Sequence, residues 1–559
     1  MHTAPKGGGN MICILHGWLL EGSGSNLWTR SIITALARAG ETVQLVCQEN
    51  HPDLYHAIGR AYRYGSRGER EQTLEREVPF SGKCVLHQPW IGETLPVFVW
   101  DKYEEYSKVV PMIELPDDEI ETYIDRNVSV VLQVVREYGV TAMHANHAVL
   151  MSVVAQRVSR ETGVPFAIMP HGSGIEYAVK KDERFARYAA SAFTDAKKVF
   201  VIGAEMRQRV NDVFHSVPGV DAKCVELHLG VDTSQFDPVP RERRAEKMSA
   251  LEAALVSTPR GKTPEQYQSM LSRLSGELSR AELRSLFLDA ARYDAKAPDA
   301  DVEAKLRNVD WEHSATLIFT GRLISVKGLQ AVITAIPLIL ERVPDLRLIV
   351  VGHGPLREPM EAFVWALENG DRALAMNIVA WGRSLEGDPE GDGGDTELAN
   401  VARFFEKLEE RRELDRYFDI ARRNVRGERV VFTGYLTHNE LRFLFPCCDV
   451  GIFPSIVREA GPLVFLEALA SGCFPLGTYF GGMAASIDAA AKVIPEEVAG
   501  LMKLDPDDTV ADIVQHVPPA FEVGVTHRDA LARLARDRYD WTSVASTLKR
   551  ELVAIASAS

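Results

Sequence analysis

Two apolar runs, each followed by a glycine-bearing loop and a helical pattern, constrain this chain more than any other feature. The first is Met11-Ile-Cys-Ile-Leu15 and the second spans Ala315 to Thr320. A strand that is apolar on both faces must be covered on both faces, which is the condition of a parallel sheet. After Leu15 comes the polar loop Glu21-Gly-Ser-Gly-Ser25, then helical periodicity from Leu27 to Ala39 closed by Gly40, then a second buried strand from Thr42 to Cys47. Strand, glycine loop, helix and strand open a doubly wound α/β sheet.

The alternation continues. The spacing predicts a long amphipathic helix over Asp117–Tyr138, with Asp117 as its N-cap, and a strand over Thr141–Ala145. A helix from Leu150 to Thr162 follows, then strands at Pro165–Met169, Lys198–Ile202 and Cys224–Leu227. The second register starts at Ala315. It predicts a helix over Leu329–Arg342 that contains Pro337, a strand over Leu346–Val351, and strands at Val430–Thr433 and Val450–Phe453. Two doubly wound, Rossmann-like domains result, over residues 1–238 and 313–525.

Two stretches break the pattern. Residues 239–312 are rich in Ala, Leu, Glu and Arg, with Thr263-Pro264 reading as an N-cap before a first-turn proline, so this is an inserted helical linker. A second insertion covers 361–426. Its centre, Gly387–Asp395, looks superficially like a calcium loop, but the position that needs an acid is Ala399. Residues 526–559 read as C-terminal helices, the last packing back on the first domain.

The formal net charge of −15 argues against nucleic acid as a partner, which needs Lys and Arg in excess. Seven cysteines, with no C-x-x-C pair, suit core thiols in a reducing compartment, and Met11–Leu15 is too short for a signal peptide. The expectation is a cytoplasmic protein without membrane association, able to form a homo-oligomer.

The chemistry concentrates in the second half. Asp449–Gly472 runs from a buried strand through a loop bearing Glu459 into a helix that starts near Pro462 and stops at Gly472. Glu467 lies in that helix among Val464, Phe465, Leu466, Ala468 and Leu469. A carboxylate there is costly unless paired, either with sugar hydroxyls or with a nearby Lys or Arg. Gly321-Arg-Leu-Ile-Ser-Val-Lys-Gly328 carries two cations, Arg322 and Lys327, between a strand and a helix. That placement suits a diphosphate, although taken alone the residues read more readily as solvated surface charges. In the first half, His144-Ala-Asn-His147 and His171-Gly-Ser-Gly174 both follow strands. They lack the third ligand and spacing of a zinc site.

Together these segments resemble glycosyltransferase family 4, retaining enzymes of GT-B fold. Glu459 and Glu467 match the E-x7-E motif, Gly321–Gly328 the G-R-L-x-x-x-K-G segment, and Val350-Val-Gly-His-Gly-Pro355 the following glycine turn. Gly22-Ser-Gly24, His171-Gly172 and Gly230-Val-Asp-Thr-Ser-Gln-Phe236 are similar to first-half motifs, with Leu229 where the family has Asn.

The resemblance implies roles. Glu467 would hold the ribose hydroxyls and Glu459 hydroxyls of the transferred sugar. Arg322 and Lys327 would bind the diphosphate. Backbone at Gly434, Tyr435 and Leu436 would hold the base, and Ser455, Gly461, Leu463 and Val464 would line the rest of the donor site. Pro462 has no N–H to offer a sugar hydroxyl. His171 would sit near the anomeric carbon, and Gly22 and Gly24 would let the first loop approach phosphates or acceptor. The implied reaction moves a hexose, UDP-glucose favoured as donor, onto a small soluble sugar, polyol or phosphorylated acceptor. It proceeds by front-face displacement, without cofactor or metal. A nucleotide-sugar epimerase of the same fold and a non-catalytic sugar-binding subunit are the alternatives.

Overall fold

The computed structural model describes residues 10–21, 24–98, 106–386, 397–458, 461 and 463–558. Two compact units emerge, Met1–Gly230 with Arg538–Ser559, and Val231–Asp537. Among the described residues no helix is long and apolar enough to cross a membrane.

The first unit holds β1 (Met11–Leu15), β2 (Thr42–Val46), β3 (Ile58–Tyr64), β4 (Arg70–Glu75), β5 (Lys83–Gln88), β6 (Thr94–Val97), β7 (Lys108–Pro111), β8 (Val140–Asn146), β9 (Phe166–Met169), β10 (Lys198–Val201) and β11 (Cys224–Glu226). Nine of them form one sheet in the order β11-β10-β9-β8-β1-β2-β5-β3-β4, and β6 and β7 pair separately. Every pairing in the large sheet is parallel except β3–β4. The β1 run of Ile12 to Leu15 is buried, as a strand covered on both faces must be. The β3–β5 region lacks such a run: Tyr, Arg and Glu alternate there, and the edge strand β4 is largely exposed, so periodicity alone passes over it.

The helix expected over Asp117–Tyr138 forms with those bounds, but Asp117 is not its cap. Pro116 holds the N-cap position with no side-chain bond, and Asp117, Asp118 and Glu119 fill the first turn, where the helix dipole favours them. The final helix, Trp541–Ser557, packs on the helix Gly24–Arg38 and on β8. Lys198 pairs with Glu551, and Lys549 with Glu41.

The second unit holds β12 (Ala315–Thr320), β13 (Leu346–Val351), β14 (Val430–Gly434), β15 (Val450–Phe453), β16 (Phe474–Thr478) and β17 (Lys503–Leu504), in the order β14-β13-β12-β15-β16-β17, with every pairing parallel. The segment 239–312 is helical, with helices Arg244–Leu255, Pro264–Leu271, Arg280–Ala290 and Val302–Arg307, and it is joined to the sheet of the second unit. Asp299 N donates to Thr433 O, 2.8 Å away, along the free edge of β14. Arg357 grips Asp299 through two hydrogen bonds of 2.8 and 2.6 Å, and Lys262 reaches Glu358 at 3.0 Å. All four side chains are buried, so charge pairing at a sheet edge joins the insertion to the sheet. Thr263 is the expected N-cap, and it forms a capping box with Gln266.

The insertion at 361–426 begins inside a helix, Arg357–Asn369. It continues as helices Arg372–Trp381, Ala399–Glu410 and Leu414–Asn424; the last two pack on the helix Leu329–Arg342, and Ala399–Glu410 also packs on Thr509–Leu534. Its glycine-rich centre lies outside the described residues.

Candidate functional site

Strand order in the second unit reverses between β12 and β15. In an open parallel sheet the ligand crevice forms at the carboxyl ends of the strands flanking such a reversal. β12 hands the chain to Gly321–Gly328, and β15 hands it to Pro454–Arg458. The two loops are laced together. Ile456 N donates to Val326 O at 2.9 Å, and Ser455 Oγ donates to the same carbonyl at 3.1 Å. Gly328 has φ +82°, and a Cβ there would stand 2.0 Å from Pro454 O. At Gly352, in the turn after β13, a Cβ would stand 1.9 Å from Gly321 O. Both positions therefore require glycine for backbone-on-backbone approach.

This lacing presents the cations. Arg322 is exposed, and Lys327 is half-buried in a single 3₁₀ turn, Ser325–Lys327. Ser325 N donates to Glu386 Oε1 at 2.8 Å, so the 361–426 insertion braces the loop. The His353 ring meets Tyr435 edge-on, with centroids 5.1 Å apart. Burial, then the charges of Lys296 and Arg322, hold its pKa below the usual imidazole value. Lys296 thus adds to the positive field of the loop, a contribution from the insertion that no local motif announces.

Glu467 sits on the helix Leu463–Ala470 and is 5% exposed. Its Oε1 accepts from His438 Nδ1. Its Oε2 is buried with no hydrogen-bond partner. The pairing group is thus His438, at the start of the helix after β14, rather than the Lys or Arg considered above. An orphaned buried oxygen costs about 1–3 kcal/mol, and this one is left free to accept a further hydrogen bond.

Around it, Ser455 is buried, while Gly461, Leu463 and Val464 are half-buried; Glu459 and Pro462 lie outside the described residues. The backbone assigned to the base is partly taken. Tyr435 N donates to Ala297 O at 3.1 Å, and Gly434 O accepts from Gly352 N at 2.9 Å. Those two groups are spent inside the unit, which moves the weight of that assignment toward Leu436.

The first unit has its own reversal, between β1 and β8. The two histidine clusters converge there on one residue, Asn146. Its Oδ1 meets His144 Nε2 at 3.1 Å and His171 Nε2 at 2.8 Å; its Nδ2 meets His16 Nδ1 at 3.3 Å and Thr29 Oγ1 at 2.9 Å. His16 is a member that sequence reasoning missed. Burial lowers the pKa of His16 and His144 to about 4, and holds His147 and His171 well below the imidazole value, so all four are neutral at pH 7. His147 and His171 adopt φ of 69° and 52°, a left-handed backbone that side chains other than glycine rarely take. Gly24 opens the helix Gly24–Arg38, and a Cβ added there would meet no atom within 4 Å, so packing does not require glycine at that position. Gly22 lies outside the described residues.

Comparison with known proteins follows the same outline. Family models described as glycosyl transferases group 1 match residues 303–377 and 407–517. No curated protein matches the sequence. Among solved structures, sucrose-phosphate synthase from Thermosynechococcus elongatus superposes with a TM-score of 0.51 at 16% identity, covering 98% of this chain and 100% of that one. A glycosyltransferase from Rickettsia africae gives 0.51 at 13% identity over 98% of each chain. The catalytic domain of starch synthase IV from Arabidopsis thaliana, bound to ADP and acarbose, gives 0.50 at 12% identity over 98% of this chain and 99% of that one. The chain therefore has the GT-B fold of two Rossmann-like domains, and its second unit is the part that the group 1 glycosyl transferase models match.

Proposed function

We propose that this protein is a retaining glycosyltransferase that moves a hexose from a nucleoside diphosphate sugar to a soluble hydroxyl acceptor, with UDP-glucose the favoured donor. The observation that carries the reading is the orphaned, buried Oε2 of Glu467, at the switch point that also presents Arg322 and Lys327. A nucleoside diphosphate offers both counterparts, ribose hydroxyls to donate to a carboxylate and a pyrophosphate to meet two cations.

The chemistry then runs on charge stabilisation. The bond between the anomeric carbon and the diphosphate oxygen breaks, and negative charge grows on that oxygen. Arg322 and Lys327 offset the charge as it develops, which is the interaction that strengthens in the transition state. The acceptor oxygen bonds to the same face of the anomeric carbon, and its proton passes to the departing phosphate. His171 of the first unit, a neutral imidazole, is assigned to a hydroxyl of the sugar. The route asks for no metal, and the net charge of −15 favours a soluble acceptor over an anionic membrane surface.

The test is a donor panel read by nucleotide release, with and without pools of sugars, polyols and phosphorylated sugars. Acceptor-dependent release from one donor is the expected result. A new sugar epimer formed without acceptor would replace this reading with an epimerase. Turnover and nucleotide affinity that survive both Glu467→Ala and Lys327→Ala would remove it.

A further inference from the structure

The hydrogen bonds around Asn146 can be assigned proton by proton, because backbone carbonyls anchor the chain of donors and acceptors at two places. A carbonyl oxygen only accepts. His16 Nε2 lies 3.2 Å from Leu19 O and 3.0 Å from Asn26 Oδ1. The Asn26 amide nitrogen is committed to Glu21 O. His16 Nε2 must therefore carry a hydrogen. A buried, neutral His16 then has a bare Nδ1, and the Asn146 atom facing it must be the donating nitrogen.

The second anchor is independent of the first. Thr29 Oγ1 donates its single proton to Ser25 O at 2.8 Å. Toward Asn146 it can only accept, so again the nitrogen of Asn146 faces it, at 2.9 Å. The two anchors agree on the orientation of an amide whose O and N are otherwise hard to tell apart.

With the nitrogen so placed, the Asn146 oxygen faces His144 and His171. Each of those rings must donate from Nε2. As neutral imidazoles, both carry a bare Nδ1. For His144, which is fully buried, that Nδ1 has no acceptor within hydrogen-bond distance that would call for a proton on it. His171 is half-buried, at the end of β9.

From this wiring we infer that Asn146 is a positioning residue that locks His171 as the Nε2–H tautomer, so that Nδ1 is presented as a hydrogen-bond acceptor to a hydroxyl of the bound substrate. The functional half of the inference rests on the reading of His171 as a substrate contact; the tautomer half does not. An amide suits the role because it offers one accepting and one donating end at fixed positions. A leucine side chain of the same shape would offer neither, and an imidazole without such a partner would exchange between tautomers.

The experiment uses the full-length protein with ¹⁵N-labelled histidine. Long-range proton–nitrogen correlation spectra distinguish a protonated from a bare ring nitrogen, and His171→Gln identifies the His171 signals. The expected result at pH 7 is a protonated Nε2 and a bare Nδ1 on His171, with the same pattern on His144. A protonated Nδ1, or a rapidly averaged ring, overturns the assignment without any activity measurement. Asn146→Leu should convert His171 to a mixed population. With the donor identified by the panel, it should lower kcat roughly 10- to 100-fold with little change in donor KM, in line with losing a group that orients a functional imidazole. An unchanged kcat alongside a lost tautomer preference overturns the positioning role. Should Asn146→Leu fail to fold, the wild-type spectrum still decides the assignment. A silent donor panel with the tautomer intact would count against the transferase reading alone.

Discussion

His438 Nδ1 and Glu467 Oε1 are hydrogen-bonded across the carboxyl ends of two strands, and the bond holds the Glu467 carboxylate so that Oε2 remains buried and unpartnered. His438 is half-exposed whereas Glu467 is not, so the pair has a wet side and a dry side. Such an arrangement costs stability, and under the proposed function it is kept for the hydroxyls of the nucleotide.

Replacing the carboxylate should therefore separate binding from folding. Glu467→Leu is expected to raise the unfolding free energy of the ligand-free protein by about 1–3 kcal/mol, the cost of an orphaned buried oxygen. Glu467→Gln is expected to weaken nucleotide binding about 10- to 100-fold, the equivalent of a charge-assisted hydrogen bond of about 1.5–3 kcal/mol. Thermal denaturation and isothermal titration check the two halves. Destabilisation by both variants would mark Glu467 as structural.

Arg322 is exposed, so its removal should leave stability within about 0.5 kcal/mol. If it offsets charge on the leaving diphosphate, Arg322→Ala should lower kcat by roughly 10²- to 10³-fold. Steady-state kinetics beside a melting curve distinguish that outcome from a loss of fold.

The Arg357–Asp299 pair should dominate the attachment of the 239–312 segment. Asp299→Ala removes two hydrogen bonds from the buried Arg357 guanidinium and leaves it paired with Glu361, and should cost about 1.5–3 kcal/mol, measured by chemical denaturation. Burial pushes the Asp299 carboxyl up, but Arg357 and Lys305 outweigh it and hold it below its ordinary value of 3.8. A depressed carboxylate stabilises the fold above that value and loses the contribution as pH falls below it.

Acid should weaken the first unit well before that. His16 and His144 titrate near 4, and His87 near 3, against an ordinary value of 6.5, because burial disfavours the imidazolium. The unfolded chain therefore takes up protons first. Stability is complete above 6.5 and falls between 6.5 and about 4, by about 1.4 kcal/mol per pH unit for each such histidine. Calorimetry across that range should show the transition of the first unit moving down further than that of the second, where His353 is depressed in the same direction. A single transition insensitive to pH between about 6.5 and 4.5 would contradict it.

Much of the frame is legible in the primary structure because buried parallel strands write themselves as unbroken apolar runs. Ala315–Thr320, Leu346–Val351 and Val450–Phe453 match the structure to the residue, as does the helix Leu329–Arg342. The β3–β5 region does not, because a polar edge strand and a partly exposed neighbour share no strong period. The second insertion is legible as a break in the pattern at 361–426, but its start is not marked locally, because it continues the helix Arg357–Asn369 that follows β13.

By itself, then, the sequence determined the doubly wound architecture, the glycines its loops require, and the oddness of a carboxylate at 467. Those are local properties, readable from spacing and from the cost of burying charge. Partners were decided only by the tertiary structure. His438 lies 29 residues before Glu467, Lys296 reaches the field at Arg322 from an insertion, and Asn146 gathers His16, His144 and His171 from three strand ends. A hydrogen bond depends on position in space, and positions far apart along the chain become neighbours only when a sheet lays their strands side by side.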